Sequence, residues 1–253
     1  MPSVVLLGTG NVATHLFYAF QKAKTVEIVQ VYGRKKPGLN YFEALTKVTN
    51  DTSQILDADI YILAISDSSV AQMSQSLKHK KGLVVHTSGS VSLDTILSKR
   101  RGVFYPLQTF TKGREADFSK VPICIEAENA EDFTLLKTLG TAISGKVHQI
   151  STQQRKKLHL SAVLVNNFTN HLFHIAQEIC KENDIPFHLL QPLISETVNK
   201  IRHLAPIDAQ TGPARRNDME TMQLHLEQFK NPLQKKIYLR LSESIKKTYE
   251  KEL

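Results

Sequence analysis

Short apolar runs return at intervals through the first 150 positions of the chain, beginning with Val4-Val5-Leu6-Leu7. The runs at 3–7, 26–32, 60–65, 83–86, 102–105, 121–126 and 146–150 predict β-strands. Several are rich in Val and Ile and nearly continuous in apolar character, as in a parallel sheet covered on both faces. Between them, 11–22, 68–77 and 130–143 place apolar residues three and four apart, the period of amphipathic helices. Strands alternating with helices predict a doubly wound α/β domain over residues 1–150.

The pattern changes after Ile150. Ser151-Thr152-Gln153-Gln154 has the spacing of a capping box, predicting the start of a long helix that runs to about residue 181. Asn183 and Pro186 are stop signals for it. Further helices are expected over 186–202, 216–229 and 232–249, with 205–213 a loop containing two prolines and a glycine. The second domain, 151–253, is therefore expected to be all helical, with no internal repeat and no low-complexity segment.

The composition is that of a globular protein: 41% of the 253 residues are hydrophobic and 22% charged, which excludes disorder and collagen-like repeats. No apolar run approaches the roughly 20 residues that span a bilayer, and no charged-then-apolar leader opens the chain. Two cysteines, Cys124 and Cys180, fall short of a disulfide framework or a four-ligand metal site. The expectation is a cytoplasmic protein with no metal and no membrane partner. The formal charge of +8 is spread evenly, with a surplus of four on either side of Ile150 and no basic arm. Three clusters stand out: Arg34-Lys35-Lys36, Lys78-His79-Lys80-Lys81 and Lys99-Arg100-Arg101. Lacking zinc-finger spacing or an aromatic-interleaved basic strand, they do not predict a nucleic-acid partner, and the second and third read as solvated turns.

The sharpest chemistry lies in Gly8-Thr9-Gly10-Asn11-Val12-Ala13. A G-x-G-x-x-A pattern is weak alone, but this one follows a predicted strand and opens a predicted helix, the context of a dinucleotide-binding turn. Gly8 allows the tight turn, Gly10 lets a pyrophosphate approach, and Ala13 keeps the helix close to the strand; Thr9, Asn11 and Val12 complete the turn. The second predicted strand ends in Gly33-Arg34-Lys35-Lys36, without the acid that holds a ribose 2′-OH in NAD binders. Arg34 and Lys35 suit a 2′-phosphate instead, so the expected cofactor is NADP. Small polar residues at two later strand ends, Ser66 and Asp67, then His86, Ser88 and Gly89, are expected to face the nicotinamide end.

In the helical half, His159, Ala162, Asn166 and Asn170 recur at spacings of three, four and four, which forms one helical stripe with Asn167 beside it. Their amides and imidazole are candidates for substrate contact or for bracing a neighbouring loop. In Thr211-Gly212-Pro213-Ala214-Arg215-Arg216-Asn217-Asp218, a bend leads to a helix start. Asp218 suits the cap; Arg216 either pairs with Asp218 or reaches an anionic substrate.

The glycine fingerprint, Tyr105-Pro106-Leu107-Gln108-Thr109-Phe110, the Asn166-Asn167 helix and the Thr211–Asp218 motif together resemble Rossmann-like proteins with a helical C-terminal domain of unknown function. Their N-terminal half is similar to deazaflavin-dependent NADP oxidoreductases. The same domain order occurs in pyrroline-5-carboxylate reductases and in 6-phosphogluconate and 3-hydroxyacid dehydrogenases. The resemblance implies a homodimer formed through the helical domain, a nicotinamide facing a cleft between domains, and hydride transfer to or from a small carbonyl or imine compound. Two departures matter: Tyr105-Pro106 stands where relatives often have His-Pro, and Ala162 and Val163 stand where 3-hydroxyacid dehydrogenases carry a lysine one turn before their asparagine. The expected catalytic set is therefore His159 as proton donor, with Asn166, Asn167 and Arg216 on the substrate; imidazole is the best acid–base group among the alternatives His86, Tyr105 and water. The rival reading is a non-catalytic NADP-binding regulatory or scaffold protein of the same fold.

Overall fold

The structure is a computed structural model that describes residues 1–250. Its first elements are β1 (Ser3–Leu7), α1 (Asn11–Ala23), β2 (Glu27–Tyr32), α2 (Lys36–Leu39), β3 (Lys47–Thr49), β4 (Ile60–Leu63), α3 (Val70–Ser76), β5 (Leu83–His86), β6 (Arg101–Pro106), β7 (Ile123–Ala127), α4 (Ala130–Thr141) and β8 (Val147–Gln149). Four residues of β1 and all of β4 and β5 are buried, as strands covered on both faces must be. The eight strands form one sheet in the order β3-β2-β1-β4-β5-β6-β7-β8. Pairing is parallel except between β6 and β7. Strand order reverses at β1 and β4, and the carboxyl ends of these two strands flank the crevice where ligands of such sheets sit.

Sequence periodicity explains the layers. Ala13, Leu16, Phe17 and Phe20 form the buried face of α1, packing with Val4, Leu6 and Leu136 on one side of the sheet. Val5, Leu7, Tyr61, Leu63, Val70 and Leu77 make the core of the other side. Each such side chain is worth roughly 1.5–3 kcal/mol when fully buried. The expected β-sheet and helices are present; β3 is additional. With Val48 its only apolar residue, this short edge strand carries no periodic signal.

After β8, the helices are α5 (Thr152–Ala162), a π-helical stretch (Val163–Phe168), α6 (Thr169–Glu182), α7 (Gln191–Lys200), α8 (Pro206–Ala209), α9 (Met219–Gln228) and α10 (Pro232–Tyr249). The capping box at Ser151 and Gln154 forms as expected. Three boundaries differ from expectation. A proline at the first helical position lets α8 form within the expected loop. Helix α9 begins at Met219 because Asn217 has φ +53° and Asp218 is the cap, accepting from Thr221 N at 3.0 Å. The long helix is interrupted by its π stretch, whose i→i+5 bonding slips the register by about one residue.

The chain divides into two compact units, Met1–Asn167 and Phe168 onwards. The change in element type at residue 150 thus precedes the division, because α5 packs with the sheet unit. Residues 251–253, the end of the expected helical domain, lie outside the described residues.

Candidate dinucleotide and proton-transfer site

The turn after β1 is built from glycine's lack of a side chain. Gly8 has φ +132°, and a Cβ there would lie 2.1 Å from the Ala64 carbonyl oxygen. Its N–H donates to Tyr32 O at 2.8 Å, which ties the end of β1 to the end of β2. Gly10 caps α1 in an extended conformation without a side-chain hydrogen bond, and the first turn of α1 holds no acid. The N–H groups there keep both their donors and the positive end of the helix dipole for an anion.

This turn borders a groove of about 800 Å³. Gly8, Thr9, Gly10, Asn11, Val12, Arg34, Lys35 and Ser66 line it, so most of the expected cofactor residues are brought together. Arg34 and Lys35 are exposed, and neither is in an ion pair among the described residues. The other basic clusters differ. Lys80 pairs with Asp57 at 2.9 Å, Arg100 with the buried Asp132, and Arg101 with Glu128 at 2.7 Å. Of the three basic clusters, Arg34-Lys35-Lys36 is the one with residues lining this groove among the described residues. An uncapped helix start and an uncompensated cationic turn on one groove fit a phosphorylated dinucleotide.

Other lining residues were given no cofactor role by the sequence, among them Thr52, Ser69, Gln72, Gln108 and Phe110. The last two belong to a loop strapped onto α1. Asn11 Nδ2 donates to Phe110 O at 2.9 Å, and the His15 ring bridges Asn11 O and Arg114 O at 2.7 and 2.8 Å. The Asn11 side chain therefore holds the loop, and its backbone N–H is what faces the groove.

The remaining expected cofactor residues lie elsewhere. Asp67 is exposed at the start of a 3₁₀ turn and does not line the groove. His86 is fully buried, with Nδ1 accepting from Ser88 N at 3.2 Å and Nε2 without a hydrogen-bond partner among the described residues. Burial, reinforced by the Arg155 charge, pushes its pKa down to about 4, so it is neutral at physiological pH. Ser88 and Gly89 form the loop above it, with Ser88 Oγ accepting from Ser90 N and Val91 N.

That loop is anchored by a residue with no sequence signal. Arg155, fully buried, donates through Nη1 to Ser88 O, Gly89 O and Val91 O at 3.0, 3.3 and 2.7 Å. Nη2 reaches Glu126 Oε2 at 3.3 Å and Thr152 Oγ1 at 3.0 Å. Gly89 in turn sits against His159: a Cβ on it would lie 2.4 Å from His159 Nδ1. The same Nδ1 is 3.0 Å from the Tyr105 hydroxyl. Burial pushes the Tyr105 phenol up to about 12, so it stays protonated, and its hydroxyl and Nδ1 share one hydrogen bond in which either can donate. The half-buried His159 ring is thus held in place at Nδ1, which leaves Nε2 for proton transfer.

Asn166 and Asn167 lie exposed on the π stretch. Its register slip separates them from the regular stripe through His159 that the spacing predicts. In the helical unit, Arg216 is exposed and Asp218 is engaged by Thr221 rather than by an ion pair with Arg216.

Comparison with known proteins places this geometry in context. Residues 121–245 match the domain of unknown function DUF2520, so the matched region includes the last two strands. The solved structure of "putative NADP oxidoreductase BF3122" from Bacteroides fragilis is 38% identical, with 97% of this chain and 98% of that chain aligned at a TM-score of 0.90. Protein TM1727 from Thermotoga maritima is 18% identical over 98% of this chain and 99% of its own, TM-score 0.74. Pyrroline carboxylate reductase from Plasmodium falciparum, solved with NADP bound, shares the fold at 10% identity over 98% of each chain, TM-score 0.61. No curated protein matches the chain.

Proposed function

The chain belongs to the family of Rossmann-type NADP oxidoreductases that carry the DUF2520 region, and from that membership we propose that it transfers a hydride between NADP(H) and a small carbonyl or imine compound. The observation that carries this reading is the groove itself, where the uncapped start of α1 and the unpaired Arg34–Lys35 turn share one wall. The N–H groups of α1 would hold the pyrophosphate, and Arg34 and Lys35 the 2′-phosphate. When bound, the nicotinamide supplies the hydride, and the protein supplies position and a proton.

His159 is the proton donor in this reading. Doubly protonated, its ring gives the Nε2 proton to the substrate oxygen or nitrogen and returns to neutral imidazole, while the Tyr105 hydroxyl at Nδ1 holds the ring orientation. Asn166, Asn167 and Arg216 are exposed polar groups available to a substrate's carbonyl, amine or carboxylate. In this reading the Tyr105–His159 pair takes the role of the lysine that this chain lacks near Ala162, and an oriented imidazole favours an enzyme over a scaffold.

A homodimer and a cytoplasmic location complete the proposal. The helical unit exposes Leu172, Leu189, Leu193, Val198, Ile201 and Leu224, and apolar side chains left to solvent in this number support self-association. No helix is long and apolar enough to cross a membrane among the described residues.

The direct test incubates the purified chain and NADPH with a panel of carbonyl and imine compounds and follows loss of reduced-nicotinamide absorbance. The expected result is turnover of at least one compound, abolished in His159→Ala with NADPH binding retained. Tight NADPH binding without turnover of any compound would overturn hydride transfer in favour of a regulatory role.

A further inference from the structure

Thr9, the residue between the two fingerprint glycines, has its side chain seated against two glycines of another segment. A Cβ built on Gly33 would lie 2.6 Å from Thr9 Cγ2, and one on Gly38 would lie 2.6 Å from Thr9 Oγ1 and 3.1 Å from Thr9 Cβ. Neither glycine has positive φ, so backbone conformation does not demand them. Room for Thr9 does. The two glycines bracket Arg34 and Lys35, so the notch around Thr9 is made by the turn that carries the two cations.

That turn has few other anchors. Gly33 N donates to Thr49 O at 3.0 Å, and Leu39 buries its side chain in the core. Arg34 and Lys35 themselves are exposed, with no ion pair among the described residues to hold them. Thr9 therefore lies where the pyrophosphate turn and the cationic turn meet.

We propose that Thr9, keyed into the Gly33–Gly38 notch, is a specificity-positioning residue that sets the spacing between the pyrophosphate-binding turn and the Arg34–Lys35 turn. The inference rests on the reading of Arg34 and Lys35 as a 2′-phosphate site. A dinucleotide held at the start of α1 reaches those cations only if the two turns keep their separation. NADPH uses both anchors, whereas NADH has no 2′-phosphate to be misplaced. Gly38 does not line the groove, so a methyl added there acts on the ligand only by displacing Thr9 or the turn.

The test is equilibrium binding of NADPH and of NADH to the wild-type chain, Gly38→Ala, Thr9→Ala and the double variant. Gly38→Ala is expected to reduce the preference for NADPH by about tenfold, leaving NADH affinity within about twofold. Thr9→Ala, which empties the notch without adding atoms, is expected to lower the preference as well and covers the case of a Gly38→Ala chain that does not fold. In the double variant, Oγ1 and Cγ2 no longer obstruct the new methyl, and part of the preference lost in Gly38→Ala should return. Preference surviving intact in both single variants, or equal proportional loss of both nucleotides, overturns the proposal. A wild-type chain that binds NADPH and NADH alike overturns the 2′-phosphate reading beneath it, a result distinguishable from either.

Discussion

Replacing Arg155 with Met removes the donor that three backbone carbonyls of the Ser88–Val91 loop share. The magnitude follows from what each partner keeps. Glu126 retains Thr152 N at 2.7 Å and Thr152 Oγ1 at 2.8 Å and is partly exposed, so its carboxylate is not stranded. The carbonyls of Ser88, Gly89 and Val91 lose a charged donor, and a buried acceptor left unmade costs roughly 1–3 kcal/mol. Offsetting terms are the desolvation of Arg155, which burial already expresses by pulling its pKa below the usual value, and its unpartnered Nε. Methionine also refills part of the volume. Breaking a buried charged network by removing one partner commonly costs about 3–5 kcal/mol, and the offsets place this variant near the lower end, about 3 kcal/mol. Glu126→Gln leaves the buried Arg155 without its counter-charge and sets an NH2 group against donors that the carboxylate now accepts from, so it should cost about 2–3 kcal/mol. Urea unfolding of the wild type, both variants and the double variant measures these terms and their coupling. Hydrogen exchange at Ser90 and Val91, whose N–H groups bond Ser88 Oγ, should quicken in Arg155→Met. A cost below about 1 kcal/mol with unchanged exchange in the loop would refute the anchoring role.

His86 makes stability depend on pH. Its ordinary value of 6.5 falls to about 4 in the folded chain, so between those values the unfolded chain binds more protons and stability drops as pH falls. The full loss is about 3 kcal/mol, to be read as the difference between wild type and His86→Asn in unfolding curves at several pH values; parallel curves would contradict it. Gly89→Ala should break the Tyr105–His159 bond, because the new methyl would meet the imidazole at 2.4 Å. The ¹⁵N shifts of the His159 ring should then change as the Tyr105 hydroxyl leaves Nδ1, while NADPH binding persists; unchanged shifts would count against the assigned geometry.

Local signals in the sequence were legible where one residue's chemistry is decided by its neighbours in the chain. The Gly8–Gly10 turn, the Ser151–Gln154 capping box and the acid-free end of β2 are all of this kind. What escaped depends on distance. Arg155 sits in Gln153-Gln154-Arg155-Lys156-Lys157, which reads as a solvated helix face, and only the fold brings it under the 88–91 loop. Tyr105 and His159 were separate candidates for proton transfer, and their pairing across 54 residues has no counterpart in spacing. His86 stands at a strand end where small polar residues meet ligands, yet its ring turns inward beside Arg155, which no pattern of types at positions 86–90 encodes. The π stretch likewise gives no warning, and it alters the face on which Asn166 and Asn167 stand.

Everything proposed for the chain depends on the groove being a site for a 2′-phosphorylated dinucleotide. Titrating the purified chain with NADPH and with NADH under one buffer, and repeating both with Arg34→Ala/Lys35→Ala, tests it most directly. The prediction is that NADPH binds roughly 10–100-fold tighter, through one or two charge-assisted contacts, and that the double variant brings the two affinities together by weakening NADPH alone. Equal affinity for the two nucleotides in the wild-type chain would contradict it.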